Sequence, residues 1–237
     1  MKLRNLPTIA IMTLTALGIG LSCTVASADP KSFPDPAVDL PKPLKPETRS
    51  VVLAGGCFWC TEGVFEGAPG VIDVVSGYAG GSAESANYQA VGGGRSTHAE
   101  VIKVTYDPQK VSFGTLLKLF FSIAHDPTTL NRQGPDSGTQ YRSAIFYEND
   151  EQLNVAKAYI AQLDGAKVYS SPIVTTLEKL DTFYPAEQYH QDFVRLNPSH
   201  PYIVQQALPK IAKAQKFVET IKTPTTQVTS PTTQSSN

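Results

Sequence analysis

Cysteine is scarce in this chain, three of 237 residues at positions 23, 57 and 60, and histidine is hardly commoner, with four. The histidines, His98, His125, His190 and His200, are not paired at metal-ligand spacing, and the lone C-x-x-C of Cys57 and Cys60 is half a zinc motif, so no metal is expected. Net charge is nearly absent as well: 20 basic residues against 21 acidic ones leave −1. No global field is available to hold a polyanion or an anionic membrane, which argues against nucleic acid as a partner. There is no internal repeat, and the one long apolar run, residues 9–21, is too short to span a bilayer comfortably. What is present is a hydrophobic fraction of 41%, ample for a packed core.

The apolar run follows Lys2 and Arg4 and precedes "ASA" ending at Ala28, the order of a secretory signal with a small-residue cleavage site. Residues 1–28 are therefore expected to be a signal peptide and the protein to be exported, periplasmic or secreted. An uncleaved membrane anchor and a lipid-modified Cys23 are the alternatives. If cleavage removes Cys23, every thiol argument concerns Cys57 and Cys60. A disulfide between them would close a tiny loop and constrain the unfolded chain little, so a purely structural staple is a weak reading.

Residues 29–48 carry six prolines and little periodic apolarity, and read as an extended, polyproline-like tether. Residues 221–237, ending "TPTTQVTSPTTQSSN", cannot bury enough apolar area to order themselves. The folded unit is expected over 49–220. Within it "SVVLAGG" reads as a buried strand, "CFWCTEGVFEG" as a helix closed by Gly67, "VIDVVSGYAGG" and "HAEVIKVTYDP" as strands, and Ser112 as the cap of a helix. A strand "YRSAIFYE", a helix "DEQLNVAKAYIAQLDG" and a strand "PIVTTLEKLDTFYP" follow, with helices near "AEQYHQDFVRLN" and "LPKIAKAQKFVETI". This order is that of a split βαβ unit: an α+β, two-layer, ferredoxin-like sandwich with long coil segments. Loops near 80–97 and 125–140 are long enough to be read as site-building segments.

Three clusters carry chemistry. Cys57 lies where an apolar strand meets a helix, so helix N-terminal amides are expected to stabilise its thiolate, and Cys60 follows one turn later. Burial of both as small hydrophobes is the competing reading. In "STHAEVIKVTY", Glu100 shares a strand face with His98, Ile102, Val104 and Tyr106. Desolvation there would raise its pKa and make it a general acid; a solvated strand-end Glu is the equal alternative. In "RQGPDSGTQYRS", Asp136 and Tyr141 meet at a strand mouth, and Tyr88 is another phenol in small, polar surroundings.

At "GCFWCTEGVF", "GVIDVVSGYAGG", "NYQAV", "HAEVIKVTYDP", "HDPTTLNRQGPDSGTQYRS", "FYPAEQYHQDF" and "NPSHPYI" the chain resembles the A-type peptide methionine sulfoxide reductases over about residues 51–202. The joint presence of "GCFWC", "HAE" and "GTQYRS" in that order is specific to the family. The resemblance implies a two-layer α+β sandwich with much coil, and reduction of methionine S-sulfoxide, free or in proteins, without a cofactor. It implies Cys57 as nucleophile, Phe58 and Trp59 as the aromatic wall for the substrate methyl group, Tyr88, Glu100 and Tyr141 as groups that bind and protonate the sulfoxide oxygen, and Asp136 lining the site. The commonest family pattern has Gly where Cys60 stands and recycling cysteines in a C-terminal tail, which this chain lacks. Cys60 is accordingly expected to resolve the Cys57 sulfenic acid as a disulfide, later reduced by a thioredoxin-like donor; direct reduction by an external thiol is the alternative. Thr97 stands where the family has Gly, which implies a different path for the loop before Glu100. The protein is expected to act as a monomer. A thioredoxin-type disulfide oxidoreductase would also use C-x-x-C at a helix start, but gives no reason for "HAE" or "GTQYRS".

Overall fold

The computed structural model describes residues 33–222. The expected signal peptide and most of the expected C-terminal tail lie outside the described residues.

Strand β1 (Arg49–Gly55) is the apolar run before the cysteines, and Val51 to Ala54 are fully buried, which is what a central strand covered on both faces requires. Helix α1 (Phe58–Glu66), strand β2 (Val71–Ala79), the short helix α2 (Tyr88–Val91) and strand β3 (Ala99–Tyr106) follow. Helix α3 (Phe113–Leu119) starts at Ser112, whose side chain accepts from the Thr115 amide, and continues through a wider turn at Phe120–Ala124. A hairpin of β4 (Arg132–Gln133) and β5 (Asp136–Ser137) precedes strand β6 (Ser143–Tyr147). Helix α4 (Asp150–Gly165) is capped by Asn149 and opens with Asp150 and Glu151, which complement the amide end of the helix.

The sheet order is β7-β6-β1-β3-β2-β8, with β7 (Thr176–Lys179) and β8 (Tyr184–Pro185) at its edges. Its inner strands, β6-β1-β3-β2, are antiparallel throughout, with Leu53 opposite both Ile102 and Ile145. This is the split βαβ arrangement expected from element order. One face of the sheet meets the helical layer: Val51, Leu53, Ile102 and Val104 pack with Phe65 of α1, Leu116 of α3 and Tyr159 of α4. The other face, with Val52, Ala54, Val101 and Phe146, is covered by Leu180 and Phe183.

Those two residues mark a departure from expectation. "PIVTTLEKLDTFYP" is not one strand but β7 (Thr176–Lys179), parallel to β6, and β8 (Tyr184–Pro185), antiparallel to β2, on opposite edges of the sheet. Residues 180–183 cross the second face between them, and Gly77 permits the passage: a Cβ there would lie 2.5 Å from both the Phe183 ring and the Tyr184 carbonyl. The helix expected near "AEQYHQDFVRLN" is likewise broken. It is a 3₁₀ turn (Gln188–His190), then Asp192 at φ 54°, then a short helix α5 (Phe193–Leu196). The Gln191 side chain accepts from the Ser76 amide and donates to the Ser76 and Ala186 carbonyls, which ties this segment to β2 and overrides its helical pattern. Helix α6 (Leu208–Lys222) closes the fold.

The tether reading also needs correction. Residues 33–48 form neither helix nor strand, yet they lie on the helical layer instead of holding the domain at a distance. Phe33 is 4% exposed with its ring edge-on to Tyr169; Tyr159 donates to the Pro34 carbonyl; the Gln162 amide bonds both Asp35 and Ala37. Asp39 accepts from the Gly114 amide at the start of α3, where it meets the positive helix end. Compositional signals for a linker do not register such side-chain pegs.

Candidate active site

The site forms where β1 ends. Gly56 turns the chain at φ 88°, a conformation that favours glycine, and a Cβ there would lie 2.6 Å from the Gln133 side chain. Cys57 is the N-cap of α1, and Cys60, in the first turn, donates its amide to the Cys57 carbonyl at 3.1 Å. Both thiols are free; Cys57 is half-buried and Cys60 is 2% exposed, packed with Val194, Ile203 and Ala207. Cys57 and Tyr202 pack against the same small cluster as Cys60.

The expectation that the helix amides stabilise a Cys57 thiolate is corrected by what those amides contact. The Phe58 amide, the first of α1, donates to Glu100 at 3.1 Å, and the Cys57 side chain accepts no cap hydrogen bond. Burial then pushes the Cys57 thiol up, and the Cys60 and Glu100 neighbours add to it. Cys60 is pulled down, first by the hydrogen bond from Cys57. The two thiols are thus set apart, Cys57 raised and Cys60 lowered.

Glu100 is 2% exposed, and burial raises its carboxyl to about 8, with the Asp136 and Cys60 charges adding and the Phe58 amide opposing. Of the two environments left open by the strand pattern, the fold produces the buried one and not the solvated strand end. Glu100 lies opposite Tyr78 on β2, and the two long loops converge beside it. Tyr88 comes from the first; Asp136 and Tyr141 come from the second. Glu100 raises both phenols by proximity after burial, so they remain donors. Tyr202 donates a short hydrogen bond to Asp136. All of the residues singled out in the sequence are therefore brought to one end of the sheet.

Phe58 and Trp59 divide the aromatic role. Phe58 is 1% exposed, against Tyr78 and His190, whereas Trp59 is half-buried and presents the accessible ring. Trp59 is held from two sides: its indole N–H donates to His190 Nδ1 at 3.0 Å, and its face stacks on Phe193 with centroids 3.7 Å apart and planes 6° apart. Glu187 fixes the neighbouring loop, accepting from the Tyr78 hydroxyl at 2.8 Å and the Tyr88 amide at 2.9 Å. Sequence reasoning missed Tyr202, His190, Phe193 and Glu187. The density of aromatic and polar residues in "AEQYHQDF" and "NPSHPYI" was the available signal, without a period to place it.

Two cavities, of about 270 Å³ beside the N-terminal arm and about 760 Å³ between α1, α5 and α6, hold none of these groups. No group of three His, Cys, Asp or Glu side chains that could hold a metal occurs among the described residues.

A sulfur pair beside a buried, proton-bearing carboxyl and several phenols is equipment for thiol chemistry on a substrate that needs a proton. Comparison with known proteins agrees. A family model for peptide methionine sulfoxide reductase matches residues 49–222. The chain is 57% identical over 172 residues to peptide methionine sulfoxide reductase MsrA 2 of Mesorhizobium japonicum, covering 73% of this chain and 88% of that one. It is 49% identical over 210 residues to MsrA 2 of Synechocystis, covering 87% and 98%. Among solved structures, reduced Mxr1 from Saccharomyces cerevisiae matches with TM-score 0.60 and 37% identity, over 65% of this chain and 88% of that chain. Methionine sulfoxide reductase A of Corynebacterium diphtheriae matches with TM-score 0.57 and 33% identity, over 66% and 78%. The chain belongs to the peptide methionine sulfoxide reductase family, and it is an enzyme.

Proposed function

We propose that this enzyme reduces the S epimer of methionine sulfoxide, free or in proteins, and is recycled through a Cys57–Cys60 disulfide by a thioredoxin-like dithiol donor. The observation that carries the reading is Glu100: a fully buried carboxyl, raised to about 8 and fixed by the Phe58 amide next to Cys57. A sulfoxide oxygen is a poor leaving group unless protonated as its bond to sulfur breaks, and a neutral carboxylic acid among phenol donors supplies that proton. Cys57 attacks the substrate sulfur; Glu100 protonates the oxygen, with Tyr88 and Tyr141 as hydrogen-bond donors; the oxygen ends on Cys57 as a sulfenic acid and methionine is released. Two electrons pass from Cys57 to the substrate, and the thiol proton restores Glu100. Trp59 receives the methyl group through its ring face, which favours sulfur and methyl contacts. The Cys60 thiol then displaces water from the Cys57 sulfenic acid to form the disulfide.

Incubation of the purified protein with dithiothreitol and separated R and S epimers tests the activity: the S epimer alone should disappear, and Cys57→Ser should abolish its loss. Reduction of insulin disulfides without sulfoxide turnover would favour the thioredoxin-type alternative. Export is proposed from residues 1–28, supported by their charge, apolar run and small-residue end. Intact mass of protein recovered outside the cytoplasm should lack those residues.

A further inference from the structure

The two sulfurs of the reading above are not equally accessible, and this sets the direction of recycling. We propose that the external donor thiolate attacks Cys57, never Cys60, in the Cys57–Cys60 disulfide, and that Cys60 departs as a thiolate stabilised by the Lys210 ammonium. The inference rests on the proposed Cys57–Cys60 disulfide.

Cys60 is 2% exposed and enclosed by Val194 of α5, Ile203 and Ala207 of the turn before α6, and Ile211 of α6. A macromolecular thiol needs an in-line approach to the sulfur it attacks, and that packing closes off Cys60. Cys57 is half-buried at the strand end, so its sulfur is the more accessible of the two. Exchange also depends on the leaving sulfur: the lower its pKa, the faster it leaves. Lys210 precedes Ile211 on α6, and its ammonium is held by a hydrogen bond to the Ala124 carbonyl at 2.8 Å, one residue along the helix from a side chain that packs on Cys60. Its charge draws the Cys60 thiol down, after the larger effect of Cys57 itself, and Asp136 works against it, which makes the cation the counterweight.

The step balances without a further reactant. The donor thiolate forms a bond to Cys57 sulfur as the Cys57–Cys60 bond breaks, and the electron pair goes to Cys60. The donor's second thiol then attacks the donor sulfur of the mixed disulfide and frees Cys57. Two electrons move from the donor dithiol to the enzyme pair, and the thiolates take protons from water.

The test starts from protein oxidised by one equivalent of methionine sulfoxide and freed of substrate. A thioredoxin whose second cysteine is serine is added, the mixture is acid-quenched and alkylated, and the peptide holding both cysteines is sequenced by mass spectrometry. The expected adduct has the donor on Cys57 and the label on Cys60. The donor on Cys60 would overturn the inference while leaving the disulfide reading intact; absence of any Cys57–Cys60 disulfide after oxidation would sink that reading and the inference with it. Reduction of the isolated disulfide by dithiothreitol should slow about threefold to tenfold in Lys210→Met and recover in Lys210→Arg. An unchanged rate in Lys210→Met, with the fold intact by circular dichroism, would remove Lys210 from the role.

Discussion

Two carboxyl groups are buried at helix α1, and their fates differ. Glu100 contacts the helix start from β3, and Glu62 lies within the helix, just past Cys60. Both are nearly inaccessible, at 2% and 1%, and burial is the first cause of the rise in each, to about 8 for Glu100 and about 7 for Glu62. Their neighbours separate them. Glu100 faces the sulfurs, Asp136 and two phenols; Glu62 faces Glu66, Asp192 and Ser76 behind the helix, and its Oε2 has no hydrogen-bond partner among the described residues. A raised carboxyl pKa is therefore a product of burial, and becomes an acid for catalysis only where a reacting atom can be placed beside it.

The comparison can be pressed hardest at Glu100. Glu100→Gln should lower kcat/KM for S-sulfoxide by about 10²- to 10⁴-fold, the usual range for a lost general acid, measured in single turnover so that recycling does not intrude. The pH profile is the next largest effect. Glu100 is an acid below its pKa, so above about 8 the first reduction should fall about tenfold per pH unit in the parent protein, and that limb should be missing in Glu100→Gln. A limb that persists in the variant would assign it to another group.

Removing the support of the aromatic wall has a smaller consequence. Phe193→Ala deletes the face stacked on Trp59 and should lower kcat/KM by about twofold to tenfold, the equivalent of one aromatic pair, while a thiol-only readout such as Cys57 alkylation is unchanged. The smallest effect on activity belongs to Glu62→Gln, with a change below about threefold. Its effect on stability has a definite sign. A carboxyl whose folded pKa exceeds its ordinary 4.5 binds more protons folded than unfolded, so stability is lost as pH rises from about 4.5 to about 7. The glutamine variant should lack that loss and be more stable at pH 8 by up to about 3 kcal/mol, read from denaturant midpoints at pH 5 and pH 8. Equal losses of activity at Glu62 and Glu100 would erase the distinction between the two groups.

Legibility in the sequence followed the range of the interactions. β1, α1, β3 and α4 were readable because their signals are local: a buried apolar run, a helix closed by Gly67, an alternation of period two, and a helical pattern over residues 150–165. The segment 172–197 was misread because its conformation is decided by partners far along the chain, Gly77 making room for Phe183 and Ser76 binding Gln191. The proline-rich arm was misread for the same reason: Gln162 and Asp39 hold it, and neither bond leaves a trace in composition.

By itself the sequence determined the order of elements, the split βαβ plan, and the chemical inventory of Cys57 and Cys60, Glu100, Asp136 and the aromatic residues Phe58, Trp59, Tyr88 and Tyr141. These follow from local pattern and residue type. Only the tertiary structure decided which sulfur is accessible, that the first helix amide serves Glu100 instead of Cys57, and that Tyr202, His190 and Phe193 join the site. The physical reason is that burial, and the electrostatics that depend on it, are properties of the packed surroundings, and no residue carries its surroundings in its own name.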